Sequence, residues 1–280
     1  MPETSQLERL LRRDRVVTLV GLVVLCALAW LYTASGAGLG AGAPQLAAPS
    51  AHGPTMSGMP AMTMAPAAPL AAQWAPAKWA LMIAMWWVMM VAMMTPSAAP
   101  AILLYARVYR HAIAQGQVQD RLAPTGAFAA GYLLVWLAFS VAAAALQWGL
   151  ERVGLASGMM MGSQSRWLSA AILTAAGAYQ LSPFKSVCLA HCRTPASFLS
   201  RFWRPGASGA LRLGAIHGAY CVGCCWLLMA LLFVVGVMNL VWIAVLAGLV
   251  LIEKVVPRGE WVARGVGVVL IGWGVVTLVV

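Results

Sequence analysis

What most constrains this chain is a series of long apolar runs with almost no charge in them. VVTLVGLVVLCALAWLY (16–32), KWALMIAMWWVMMVAMM (78–94) and GAFAAGYLLVWLAFSVAAAALQW (126–148) are three of these runs. A helix needs about 20 apolar residues to cross a hydrocarbon core, and these runs meet or approach that length. The sequence has no ten-residue segments of alternating polarity, which would mark a transmembrane barrel. The spanning elements are therefore helices, which satisfy their own backbone hydrogen bonds in lipid. Composition agrees: 62% of the 280 residues are hydrophobic and 9% are charged, against about 25% charged in a soluble domain.

The pattern predicts an all-α fold, a polytopic transmembrane helix bundle of about seven spans. The remaining four fall near 167–192, interrupted by Pro183, and at 213–235, 239–252 and 262–280. The sixth is short. Pro96 and Pro100 are expected to end or kink the second helix. Basic residues orient the bundle. Arg9, Arg12, Arg13 and Arg15 precede the first span, and Arg107, Arg110 and Arg121 follow the second. Lys185, Arg193, Arg201, Arg204 and Arg212 lie between spans four and five, and Lys254, Arg258 and Arg264 between six and seven. Together these are 15 of the 18 Lys and Arg residues, leaving Lys78, Arg152 and Arg166 on the other side. The positive-inside bias then puts the N-terminus in the cytoplasm and the C-terminus across the membrane. The net charge of +11 reflects this retention rather than a nucleic-acid surface, since no basic stripe is interleaved with aromatics.

Three regions follow. Residues 1–35 hold the basic segment and first helix; cleavage after a signal peptide is the alternative there. Residues 36–77, rich in Met, Pro, Gly and Ala, cannot build a core and are expected to be a flexible segment outside the cytoplasm. Residues 78–280 form a six-helix membrane domain with a Cys/His cluster.

That cluster is the chemical feature of the sequence. Cys188, His191 and Cys192 close the fourth span, and His217, Cys221, Cys224 and Cys225 lie in the first half of the fifth. At 100° per residue, His217, Cys221 and Cys224 make one helical stripe, and Cys188 and Cys192 make an i,i+4 pair. Both helix ends face the same side, so the two groups are expected at similar depth. Thiolate favours Cu(I) and Zn(II) among common ions, and a cation would offset the cost of burying an ionised sulfur. Lys185 and neighbouring arginines are expected to favour the thiolate. Inert packing and a regulatory disulfide are the alternatives; Cys26, alone in the first span, has no assigned role. Cys221 and Cys224 satisfy C-x-x-C spacing, yet they lie inside a helix rather than at its first turn, where redox thiols are activated.

Methionines form two further groups. His52, Met56, Met59, Met62 and Met64 fall within HGPTMSGMPAMTM in the polar-poor outer segment, where no core exists for them to fill. Thioethers there would take soft Cu(I) in preference to zinc; biased composition alone is the alternative. In the second span Met82, Met85, Met89 and Met93 share a face that Met90 and Met94 extend. They either fill space or make a ladder for a soft ion. Nothing resembles paired catalytic carboxylates or a nucleotide-binding loop.

MWWVMMVAMMTPSAAP (85–100), AYQLSPFKSVCLAHCRTP (178–195), GAYCVGCCWLLM (218–229) and GVMNLVWI (236–243), leading to Glu253 and Lys254, resemble a bacterial family of predicted metal-binding integral membrane proteins of unknown function. Some of its members are labelled copper chaperones. The resemblance covers roughly residues 75–255. It implies ligands at Cys188, Cys192, Cys221, Cys224 and Cys225, with His217 between the groups. It also implies a bacterial cytoplasmic (inner) membrane, which makes the outer side the periplasm. The expected function is to hold or deliver Cu(I), with zinc the lesser candidate, to a membrane or periplasmic protein partner. The phospholipid bilayer is the surrounding phase. Two other classes remain: a structural or assembly subunit of a larger membrane complex, and a membrane thiol oxidoreductase. The second lacks a matching thiol pair on the outer side, which a relay would need.

Overall fold

The computed structural model describes residues 3–36, 74–118, 124–156, 163 and 165–279. Among them lie ten α-helices and one isolated β-bridge, between Ala156 and Ser163. In chain order the helices are α1 (Glu3–Ala34), α2 (Pro76–Ala114), α3 (Thr125–Arg152), α4 (Arg166–Gln180) and α5 (Pro183–Arg193). They continue with α6 (Pro195–Phe202), α7 (Gly206–Ala230), α8 (Leu232–Val235), α9 (Leu240–Val255) and α10 (Gly259–Val279).

Five helical stretches are long and apolar enough to cross a membrane: Val16–Ala34, Pro76–Ala114, Thr125–Arg152, Gly206–Val235 and Gly259–Val279. Two of the seven expected spans are shorter. α4 has 15 residues and stops at Gln180, where Ser182 caps a new helix with Pro183 in its first turn, so the fourth run is two helices, α4 and α5. α9 has 16 residues, with the Asn239 side chain accepting from the Trp242 amide at its start. The outer surface is apolar: Val17, Leu31, Trp167, Val268 and Val269 are all exposed. Surfaces of this kind belong against lipid.

The second helix departs from expectation. It runs through Pro96 and Pro100 to Ala114, for 39 residues, about 58 Å at 1.5 Å per residue. Proline at 96 lacks the N–H that would bond the carbonyl of Ala92. That carbonyl is occupied all the same. It accepts Trp30 Nε1–H at 3.1 Å and the Cys26 thiol at 3.7 Å, both from α1. A neighbouring helix thus satisfies the group that would otherwise be orphaned in lipid, and α2 continues. Cys26 has this minor structural role.

Helix pairs approach closely through glycine. α3 lies on α7, where a Cβ at Gly131 would run into the Leu211 carbonyl and one at Gly214 into the Phe128 carbonyl. Gly214 and Gly218 form a G-x-x-x-G face on α7, which lets two backbones approach. α4 meets α10 in the same way at Gly177 and Gly267. α2 packs against α1, α3 and α9, and α5 against α7. The α3–α7 contact fixes the depth and rotation of α7, the helix carrying His217 and three cysteines.

Gly214→Val is therefore expected to cost about 3 kcal/mol or more, since the clash is with backbone rather than with a movable side chain. Gly248→Ala, at a position with open space around it, should be close to neutral. Thermal unfolding of the two variants in the same detergent checks the difference; equal melting temperatures would disprove the backbone contact.

Candidate metal centre

α5 and α7 bring their sulfurs together. Cys192, on α5, packs against the core that holds Cys221, Cys224 and Cys225 of α7, and interacts most strongly with Cys224. On α7, the Cys224 and Cys225 thiols both turn back to the Cys221 carbonyl, at 3.1 and 3.0 Å. Such bonds to the preceding turn are what small polar side chains make in a helix when no other partner takes them. Cys221, Cys224 and Cys225 are buried, and all six cysteines are free thiols. Among the described residues, no three His, Cys, Asp or Glu side chains are gathered in a metal-holding arrangement.

The other expected site residues take separate positions. Cys188 Sγ lies against the backbone of α7, where a Cβ at Gly223 would meet it at 3.0 Å. His217 is buried among the rings of Phe128, Tyr132 and Phe198, and its Nδ1 has no hydrogen-bond partner. His191 is stacked on Tyr220, centroids 4.2 Å apart with the planes 3° from parallel, while its Nδ1 meets the Val187 carbonyl. The structure therefore sets Cys192 beside Cys224 and the two histidines in aromatic surroundings. His52, Met56, Met59, Met62 and Met64 lie outside the described residues.

Four residues at the centre were not singled out by sequence as belonging to it. Tyr132 OH, from α3, touches Cys221 Sγ at 3.1 Å. Lys254 Nζ, from α9, bonds Cys221 Sγ at 2.9 Å and Ser97 Oγ at 3.1 Å. Met94 Sδ, from α2, contacts Cys225 Sγ at 4.0 Å. Five helices thus converge on the sulfur group. Lys254 is the cation beside the thiol. Lys185, expected in that role, is instead directed at Glu253 Oε2, 2.6 Å away, with both side chains almost fully buried. Gln180 Nε2 donates to the other carboxylate oxygen at 2.8 Å.

The adjacency of Glu253 and Lys254 explains the division. Neighbouring residues on a helix point about 100° apart, so one turns to α4 and α5 and the other to α2 and α7. Phe198, which packs on His217, belongs to α6, a short helix inside what the sequence suggested was a plain connection. Its signal was there: Pro195 at the first turn, then Phe198, Leu199 and Phe202 at helical spacing.

In chemical terms this is a soft donor set in a dry interior. It holds several thiols, one thioether and a buried ammonium, with an unsatisfied imidazole nitrogen one turn away. Thiols and thioethers of this kind suit a soft monovalent ion.

Fold and site together define an all-helical protein, built for a lipid bilayer, that encloses a thiol centre. Residues 83–277 match the model of the PpoB2 family, described as copper chaperone. The match covers well over half of the chain, which therefore belongs to this family. No curated protein and no solved structure gives a significant match.

The ion pair yields a direct test. Glu253→Gln leaves Lys185 buried without a counter-charge and should cost about 3–5 kcal/mol. Combining it with Lys185→Met should recover much of that loss. A thermal-unfolding double-mutant cycle measures the coupling, and strictly additive effects would show the pair to be unimportant.

Proposed function

We propose that this protein holds Cu(I) at the thiol centre and passes it to a membrane or periplasmic protein, serving metalation or copper homeostasis. The observation that supports the reading is the packing of Cys192, from α5, against the core that holds the buried cysteines of α7, with Cys224 its principal partner, in a chain belonging to a family described as copper chaperone. Cys192 and Cys224 span two helices, and Cys221 and Cys225 stand beside them. In this reading Cys188, His191 and His217 complete the ligand set. Binding would take the Cys224 and Cys225 sulfurs away from the Cys221 carbonyl. Thiolate ligands favour Cu(I), and the thioether of Met94 strengthens that preference over zinc.

Lys254 supplies charge balance. An ammonium buried against Cys221 offsets the negative charge that a copper–thiolate group carries, and a buried charge without such compensation is costly. The residue acts through the ligand it touches, as outer-shell partners of metal sites do.

The topology proposed with this function has seven spans, the shorter α9 and the α4–α5 pair counting as two of them. The N-terminus is cytoplasmic, the C-terminus periplasmic, and the membrane is the bacterial inner membrane. Removing the buried Lys185 and Lys254 from the basic residues leaves the asymmetry in place. Residues 36–77 are then a periplasmic segment in which His52, Met56, Met59, Met62 and Met64 gather the ion.

The experiment is Cu(I) reconstitution of anaerobically purified protein, with a competing chelator to measure affinity. Cys221→Ser with Cys224→Ser should weaken binding at least about a hundredfold, and Lys254→Met by about tenfold. Wild-type protein that takes up no Cu(I) would end the copper reading. Full function in the double serine variant, together with a stoichiometric co-purifying partner, would mark an assembly subunit instead.

A further inference from the structure

We propose that the methionines of α2 form a line of thioether rungs that leads a soft monovalent cation to the thiol centre, with Met94 as the last rung. This rests on the copper(I) reading above and adds a route to it.

Met82, Met85, Met89, Met90, Met93 and Met94 are all exposed by no more than 2%. They stand three or four residues apart along two adjoining rows, 82–85–89–93 and 90–94, spacings that bring Cβ atoms to about 5–6 Å of one another. From Met82 to Met94 the line covers about 18 Å of helix axis, more than half of a hydrocarbon core about 30 Å thick.

Both ends of the line are held. At one end Gln147 Nε2 donates to Met82 Sδ at 3.8 Å. At the other, Met94 Sδ rests on Cys225 Sγ at 4.0 Å. Tyr132 OH donates to the Met94 carbonyl at 3.2 Å while also touching Cys221 Sγ at 3.1 Å. One tyrosine therefore ties the Met94 backbone to Cys221, one turn before Cys225. A second bond to that carbonyl comes from Ser97 Oγ at 2.9 Å, and Ser97 is also a partner of Lys254.

The chemistry gives the line a direction. A thioether is neutral and soft, and its side chain turns about three bonds, so it holds a soft cation weakly and releases it readily. A thiolate adds charge and holds the same ion more tightly. Affinity therefore rises from Met82 towards Cys225. A divalent ion would leave twice the uncompensated charge on neutral rungs in a dry interior, so the line discriminates against it. Only ligand exchange is required, with no change in oxidation state.

Leucine keeps nearly the volume of methionine but removes the sulfur, which separates conduction from packing. The full-length protein would be reconstituted in lipid vesicles and loaded anaerobically with Cu(I), its uptake followed by the ultraviolet absorption of the copper–thiolate bond. Met85→Leu with Met89→Leu should slow loading about tenfold while leaving the final copper content and the thermal stability unchanged. Met94→Leu should slow it similarly. In selenomethionine-labelled protein, X-ray absorption at the copper edge should detect a selenium neighbour, which Met94→Leu removes. Full-speed loading in the Met85/Met89 double variant, which lies away from the cysteines, would overturn the thioether line even if Met94→Leu failed to fold. So would copper without selenium nearby in labelled wild-type protein. Wild-type protein that binds no Cu(I) at all would overturn the copper reading and the line together, whereas normal uptake in every Met variant removes the line alone.

Discussion

The arrangement depends first on what buried charge demands. Glu253 and Lys254 are consecutive on α9, and neither can sit in an apolar interior without a partner. Glu253 finds Lys185 and Gln180; Lys254 finds Cys221 and Ser97. Because the two side chains leave the helix in different directions, satisfying both fixes α9 against α2, α4, α5 and α7 at once. No rotation of α9 can improve one pairing without breaking the other. The sulfur group inherits its geometry from this double requirement, since Cys221 is one of the partners and the base of α5 is another.

Glycine contacts and backbone repair carry the rest of the precision. Gly131 and Gly214 allow α3 and α7 to touch through their backbones, so Tyr132, one residue beyond Gly131, reaches Cys221 without slack. The Trp30 indole on the Ala92 carbonyl plays a parallel part for α2. The helix continues past Pro96, and that continuity sets Met94 and Ser97 on opposite sides of the proline in one fixed relation. A break at Pro96 would have freed Ser97 from Lys254 and Met94 from Cys225.

Much of this was legible in the sequence. Uncharged apolar runs revealed the long helices, because a run of 20 such residues has few other fates. The i,i+4 pair in α5 and the stripe in α7 suggested that the two helices would lie together, and α5 does pack on α7. What stayed hidden involved partners distant in sequence. Trp30 and Ala92 lie 62 residues apart, so local rules for proline could not show that α2 would continue past Pro96. Lys254 and Cys221 are 33 apart, and Lys185 and Glu253 are 68 apart. Local spacing placed Lys185, close to Cys188 in the chain, with the thiols, and only the fold shows that Lys254 takes that place. The stack of His191 on Tyr220 joins residues 29 positions apart in the chain and was equally invisible to local spacing. The Met face of α2 was visible as a stripe, whereas its contact with Cys225, 131 residues away, was not.

The two buried lysines differ in a way that bears on the proposed cargo. Lys185 faces the Glu253 carboxylate, a partner the protein itself supplies. Lys254 faces a neutral hydroxyl and a thiol, and a thiol becomes an anionic ligand when it binds a metal. A Cu(I) ion held by two thiolates carries one net negative charge, and a single ammonium brings the group to neutrality. A third thiolate would leave one charge over, which a dry interior tolerates poorly. The buried lysine thus favours two anionic sulfurs with neutral donors completing the set. A thioether is available from Met94 and an imidazole from His217, whose Nδ1 has no other partner. Neutral donors also let an ion leave more easily than a full thiolate cage would, and a protein that delivers its metal needs that as much as it needs to bind.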